Sequence, residues 1–175
     1  FYTPAYSSRA NNNNETKWVQ IDLGGVKKID AIKLLPGVQG WGAGYGGFPC
    51  RFKIEVSNEA DFSHPIMYED YTLKGEYPIP DDETAVFATK EVHGRYVRLT
   101  AIQLRDNKLA MTKIMVLSDG KDIAEGCPAT ESDPGKDSHV EMLTRPERPM
   151  GEFVVTKNPG NVIPPKEWQP WAKPG

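Results

Sequence analysis

Apolar residues recur at every second position along most of this chain up to about residue 118, and no stretch there spaces them at the three- and four-residue intervals of an amphipathic helix. Nothing else constrains the fold as much, because period two marks a strand with one buried face and one wet face. In KWVQIDLG, Val19, Ile21 and Leu23 fall on one face and Gln20 and Asp22 on the other; in CRFKIEVS, Phe52, Ile54 and Val56 alternate with Lys53 and Glu55. IDAIKLL, IMYEDYT, TAVFATK, RYVRLTA and AMTKIMVLS add further strands, at least seven in all, with GGVKK and EVHG read as tight turns between them. Many short strands with no intervening helix predict an all-β antiparallel sandwich or barrel. Trp18, opening the first of these strands, is expected in or near the core, and Arg95 and Arg98 on the wet face or in an ion pair.

A chain of 175 residues suffices for one packed domain with an extension. The extension is expected at the C-terminal side, where nine of the fifteen prolines lie in the last 48 residues and alternation survives only in EFVVT. Proline donates nothing to a sheet ladder and fixes its own φ, so residues 120–175 read as a proline-rich extended tail or linker toward another domain, and residues 1–119 as the folded part. A formal net charge of -3, with no dense cluster of Lys and Arg, excludes a phosphate-tracking surface and argues against docking on an anionic membrane. No run approaches roughly 18 apolar residues and the opening FYTPAYSSRA is no signal peptide, so the chain is expected to be soluble or a processed or excised piece, and a monomer is expected. Cys50 and Cys127 are too few for a disulfide framework or a metal quartet and are expected to be unpaired and buried.

If successive strands run antiparallel, their connections alternate between the two ends of the sandwich. One end then receives residues 1–16, the loop GVQGWGAGYGGFP, LKGEYPIPDD and IQLRDNK, which include nearly all the long, aromatic and amide-bearing loops. The glycine-aromatic loop holds six glycines in thirteen positions, a density that works against stability unless close backbone approach or unusual dihedrals are needed. Trp41 and Tyr45 on it, with Arg105, Asp106 and Asn107 on the neighbouring loop, suit a sugar: pyranose C–H faces stack on aromatic rings, and the hydroxyl belt is satisfied by amides, carboxylates and guanidinium. The same residues have plainer readings. Trp41, Tyr45 and Phe48 are also able to fold back and plug the end of the sandwich, and Arg105, Asp106 and Asn107 form a good polar turn. The NNNN run at 11–14 reads as an exposed loop, DDE at 81–83 as a solvated turn in preference to a cation site, and NET at 14–16 as a glycosylation acceptor in a eukaryotic secretory host. No nucleophile elbow, zinc-ligand spacing, phosphate loop or Cys–His pair at one end points to catalysis.

WVQIDLGGVKKIDAIKLL, FKIEVS, GRYVRLTA and MTKIMVLS, in this order and spacing over residues 16–119, resemble the discoidin, or coagulation factor 5/8 type C, domain. GFPCRFKIEVSNEADF is similar to bacterial versions appended to secreted or periplasmic glycoside hydrolases with chitobiase- or rhamnosidase-like parents. The resemblance implies an eight-stranded, jelly-roll-like antiparallel sandwich that binds ligand in loops at one end. It further implies a non-catalytic module that holds a secreted, periplasmic or cell-surface bacterial glycan-degrading enzyme near its substrate, with a glycan and the other domains of the same polypeptide as partners. The alternative is a structural module that docks on the parent's own catalytic domain. The family's N-terminal strand and Asp-Gly element are expected to be mostly missing here, and with them the structural calcium ion that the resemblance would otherwise imply. The histidine that sugar-binding members often use also has no counterpart, since His64 and His93 are expected at the opposite end and His139 in the tail.

Overall fold

The structure, a computed structural model, describes residues 6–36, 47–78, 85–136 and 138–146. These belong to one compact unit, Tyr2–Arg145; a second unit, Pro146–Gly175 with Phe1, falls outside the described residues except for Pro146. Among the described residues nine strands are formed: β1 (Tyr6–Ser7), β2 (Lys17–Leu35), β3 (Arg51–Ser57), β4 (Ile66–Asp70), β5 (Ala85–Gln103), β6 (Ala110–Met111), β7 (Lys113–Ser118), β8 (Lys121–Asp122) and β9 (Ala129–Glu131). One short 3-10 helix, Val140–Thr144, follows them. Every pairing is antiparallel, in the order β4-β3-β5-β2-β7-β8 with β9 on β2, and β1 pairs with β6 in a separate ribbon.

The antiparallel sandwich expected from the alternation is present, and two of its strands are much longer than expected. GGVKK and EVHG do not reverse the chain: β2 and β5 are each nineteen residues long and run through them. The first half of β2 lies between the second half of β5 and β9, with β3 and β4 continuing that layer; its second half lies between the first half of β5 and β7, with β8 beyond. The register shift between Asp22 and Lys27 marks where this shared ribbon passes from one layer to the other, as extra residues on one strand bend it. Asp22 holds the bend. Its carboxylate accepts both Arg95 Nε (2.8 Å) and Nη2 (3.1 Å), and the Gly24 N–H at 2.8 Å, so the ion pair expected for Arg95 is formed.

Between the layers, Val19, Ile21, Leu23, Phe52, Ile54, Val56, Val97 and Leu99 meet Ile32, Leu34, Phe87, Ile114 and Val116 in one buried cluster, the face that the period-two pattern assigned. Trp18 is a correction: it is half-buried and points away from that core with Gln20 and Asp22, because strand alternation places residues 18, 20 and 22 together once Val19 and Ile21 face inward. Its ring covers Arg98, whose guanidinium lies 4.3 Å from the Trp18 ring centroid and 4.2 Å from that of Phe62. Arg98 also donates to Gln20 Oε1, on the face expected for it.

A segment expected as loop forms a strand, and a segment expected outside the folded part belongs to it. Tyr6 of β1 is 1% exposed, although no strand was expected before residue 17. Residues 121–145, expected as the start of a tail, add β8, β9 and the 3-10 helix, bury Ala124 and Leu143 completely, and place Asp122 beside the buried Lys113 at 3.7 Å. The proline count misled because those prolines lie between the pairing residues: Pro128 precedes β9 and donates nothing, while its carbonyl accepts the Asp22 N–H at 3.0 Å. The rest of the expected tail, residues 147–175, lies outside the described residues.

Acid is expected to destabilise this unit through particular carboxylates. The Arg95 guanidinium holds the Asp22 carboxyl below the usual range, hydrogen bonds from Ser63 do so for Asp61, and those from Thr72 do so for Asp70. A carboxyl depressed in the folded state adds stability that is present above its unfolded pKa of about 3.9 and is lost as pH falls through the lower folded value. Urea midpoints measured against pH are therefore expected to fall below about pH 4, with a shallower fall in Asp22→Asn. A midpoint that rises on acidification would contradict this.

Candidate functional site

Four described segments meet at one end of the sandwich: residues 8–14, Pro36 with 47–50, 71–78, and 104–109. Ser8 N–H donates to Leu109 O at 2.8 Å, Cys50 N–H to Gln103 O at 3.0 Å, Tyr77 N–H to Cys50 O at 2.7 Å, and Leu104 N–H to Asn13 O at 2.7 Å. The sorting of loops by strand alternation thus holds for the described parts. The bends in β2 and β5 preserve it, since the ribbon doubles back over the far edge much as separate hairpins would. The far end carries the Asp22 bend, His64 beside Glu59 and His93 beside Glu91.

Arg105, Asp106 and Asn107 have distinct positions. Asp106 and Asn107 are the central residues of a two-residue turn, with φ of 54° and 62°, closed by the Arg105–Lys108 bridge. Left-handed values at both positions define the primed hairpin turns, and Asp and Asn tolerate them best after glycine. Both side chains are exposed. Arg105 turns inward instead. Its Nε donates to Phe48 O at 3.3 Å and its Nη2 to Tyr77 O at 2.8 Å, so this guanidinium clamps two loops to a third. Sequence reasoning missed the partners of the turn in the asparagine run: Asn107 N–H donates to Asn13 Oδ1 at 2.7 Å and Asn11 N–H donates to Asn107 O at 2.9 Å. The available signal was the amide's habit of bonding backbone groups in place of a strand neighbour.

Trp41 and Tyr45 lie outside the described residues, but both feet of their loop are described and are pinned to one place. Pro36 O accepts the Thr112 hydroxyl at 2.8 Å, and Gly47 O accepts the Ala110 N–H at 2.8 Å. Gly47 has φ +96°, and a Cβ there would sit 2.8 Å from the Ala110 backbone nitrogen, so close approach accounts for this glycine. Phe48 is the plug that its plainer reading described: it is fully buried, 6.0 Å from the Phe52 ring and 5.7 Å from Tyr77. Behind it, Phe52, Tyr71, Tyr77 and Phe87 form a continuous aromatic cluster. The loop therefore stands on a rigid base. On the rim, Gln103 Nε2 donates to Glu76 Oε1 at 3.2 Å, a polar pair not singled out from the sequence.

Among the described residues no three His, Cys, Asp or Glu are grouped to hold a metal ion; DDE at 81–83 lies outside them. Cys50 is buried and Cys127 half-buried, both free, and burial pushes both thiols up, away from nucleophilic thiolate. No described helix is long and apolar enough to cross a membrane.

Comparison with known proteins bears on the arrangement. The F5/8 type C domain model matches residues 3–117. The chain belongs to this family. The match starts earlier than the motif-bearing stretch at residue 16, so it takes in β1, and β8, β9 and the 3-10 helix lie beyond the matched residues. A module designated CBM32-1, from a family 31 glycoside hydrolase of Clostridium perfringens, is similar in fold, with a TM-score of 0.51 at 17% identity over 64% of this chain and 75% of that one. CpGH89CBM32-5 of Clostridium perfringens, in complex with GalNAc-β-1,3-galactose, matches at TM-score 0.46 and 17% identity over 58% of this chain and 65% of that one. The C-terminal domain of a Bacteroides fragilis chitobiase matches at 0.43 and 20% identity, over 59% and 63%. This chain spans just under two thirds of the length of the latter two. Curated proteins yield no match.

Proposed function

We propose that this F5/8 type C domain is a non-catalytic carbohydrate-binding module of a larger secreted bacterial glycan-degrading protein, and that it takes its glycan at the end where the four loops meet. The observation that carries this reading is the pinning of both feet of the Trp41–Tyr45 loop to residues 110–112, beside the exposed Asp106–Asn107 turn. A stacking platform is useful only if its base does not move, because ordering a loose loop on binding would consume much of a small contact energy. In this reading Trp41 and Tyr45 stack on pyranose faces and Asp106 and Asn107 meet hydroxyls, while Arg105 keeps the loops in place. A shallow, wet site of this kind gives millimolar to high-micromolar affinity, roughly -4 to -6 kcal/mol, and works by raising the effective concentration of an attached enzyme at its substrate. The similarity of fold to a module of a glycoside hydrolase supports it.

A glycan array on the chain, followed by titration of its best hit, tests the proposal. Trp41→Ala is expected to weaken binding by about 1–3 kcal/mol with little change in melting temperature. Arg105→Ala is expected to lower both, since it leaves two carbonyls without their donor. A blank array, or binding that survives Trp41→Ala and Asn107→Ala together, would place the ligand elsewhere or remove it.

A further inference from the structure

The segment beyond the family match reaches the candidate end chiefly through the side chain of Asp133. Asp133, two residues after β9, is held there because β9 pairs Ala129–Glu131 with Ile21, Gln20 and Val19 of β2, and Ser132 continues the contact by accepting the Trp18 N–H on its hydroxyl at 2.9 Å. Asp133 Oδ2 accepts from Lys17 Nζ at 3.1 Å and from Asn11 Nδ2 at 3.3 Å, and Oδ1 lies 3.6 Å from Arg9 Nε. Lys17 is 1% exposed, and its ammonium also donates to Arg9 O. Arg9 donates in turn to Pro134 O at 3.4 Å. One carboxylate thus gathers side chains from residues 9 and 17, on either side of the asparagine loop, and from Asn11 within it, and that loop supplies both acceptors, Asn13 O and Asn13 Oδ1, for the N–H groups of Leu104 and Asn107.

We propose that Asp133 is a positioning residue for the ligand end: it holds the Asn11–Asn14 loop against the Asp106–Asn107 turn, so that the C-terminal segment is part of the binding apparatus. This rests on the function proposed above. A contiguous set of charge-assisted hydrogen bonds is the physical means, and the carboxylate is needed because both cationic partners lose their counter-charge without it.

The test uses the full chain, comparing wild type with Asp133→Asn and with the double substitution Lys17→Met, Asp133→Leu, in which the buried lysine and its half-buried partner are both replaced by apolar side chains so that no buried charge is left unpaired and global stability is retained. Amide hydrogen exchange at Leu104 and Asn107 reads the loop directly, with Ile21 and Leu99 as core references. Exchange at Leu104 and Asn107 is expected to accelerate about tenfold or more in both variants while the core amides of the double variant stay at the wild-type rate. Titration with GalNAc-β-1,3-galactose and with chitobiose as probes is expected to show several-fold weaker binding in both variants. Unchanged exchange at the two loop amides would overturn the proposal, as would acceleration that tracks global unfolding in both variants. Fast exchange with undiminished probe binding would overturn the positioning role. Wild type that binds neither probe nor any array glycan would count against the proposed function alone, and exchange at the two loop amides would still decide whether Asp133 holds the loop.

Discussion

Cut after residue 119, the chain is expected to lose its cooperative fold, whereas a chain ending at Pro146 keeps it. The shorter piece lacks β8, β9 and the 3-10 helix. Leu143 is fully buried, and losing such a side chain from the core forfeits about 1.5–3 kcal/mol. Lys17, 1% exposed, would be left without Asp133, and a buried charge stripped of its partner costs about 3–5 kcal/mol. Against a total stability of about 5–15 kcal/mol for a domain of this size, these losses together are decisive. Circular dichroism melts of the two chains check it: a sharp transition in the chain ending at residue 119, within a few degrees of the longer one, would show that the C-terminal segment merely decorates the sandwich.

Phe52→Ala is expected to cost about 3–5 kcal/mol, the range for removing a large buried aromatic side chain. Its ring is fully buried and sits 5.3 Å from Tyr77, 5.4 Å from Tyr71, 5.9 Å from Phe87 and 6.0 Å from Phe48, so the cavity opens at the centre of four rings that cannot all close on it. Two of those neighbours, Phe48 and Tyr77, provide the carbonyls that Arg105 holds. The loss is therefore expected to appear twice, in the urea midpoint and as faster hydrogen exchange at Cys50 and Tyr77, whose N–H groups tie the same loops. Phe52→Leu, which keeps most of the volume, is expected to recover more than half of the midpoint. A Phe52→Ala variant within about 1 kcal/mol of wild type would mean that the aromatic cluster is loosely packed and does not brace the site.

Most of the strand content and the inward-facing residues were legible in the sequence, because alternation follows from strand geometry alone: with Val19 and Ile21 inward, Gln20 and Asp22 must face out. The family was legible too, in four motifs at the right spacing. So was the gathering of loops, which depends only on each β-segment reversing direction relative to the last. Long-range partners were not. Whether GGVKK is a turn or a bend is settled by β5 following β2 through it, and β5 lies some seventy residues away in the chain. Trp18 was expected in or near the core because it opens a core strand, but its position in the alternation puts it on the other face, where Arg98 lies against its ring. Arg105 was read as a side chain offered to a ligand; the carbonyls of Phe48 and Tyr77, brought beside it by two other loops, give it structural work.

What the sequence by itself determined is the local part: which residues extend, which face they take, which positions tolerate left-handed turns, and the family to which the pattern belongs. Tertiary structure alone decided where the domain ends and what its polar residues do. A proline-rich segment carries weak local preference for any element, so residues 121–145 fold only because β2 offers a free edge to Ala129–Glu131 and a buried lysine awaits Asp133. Those are energies of contact between distant parts of the chain, and they exist only once both parts are in place.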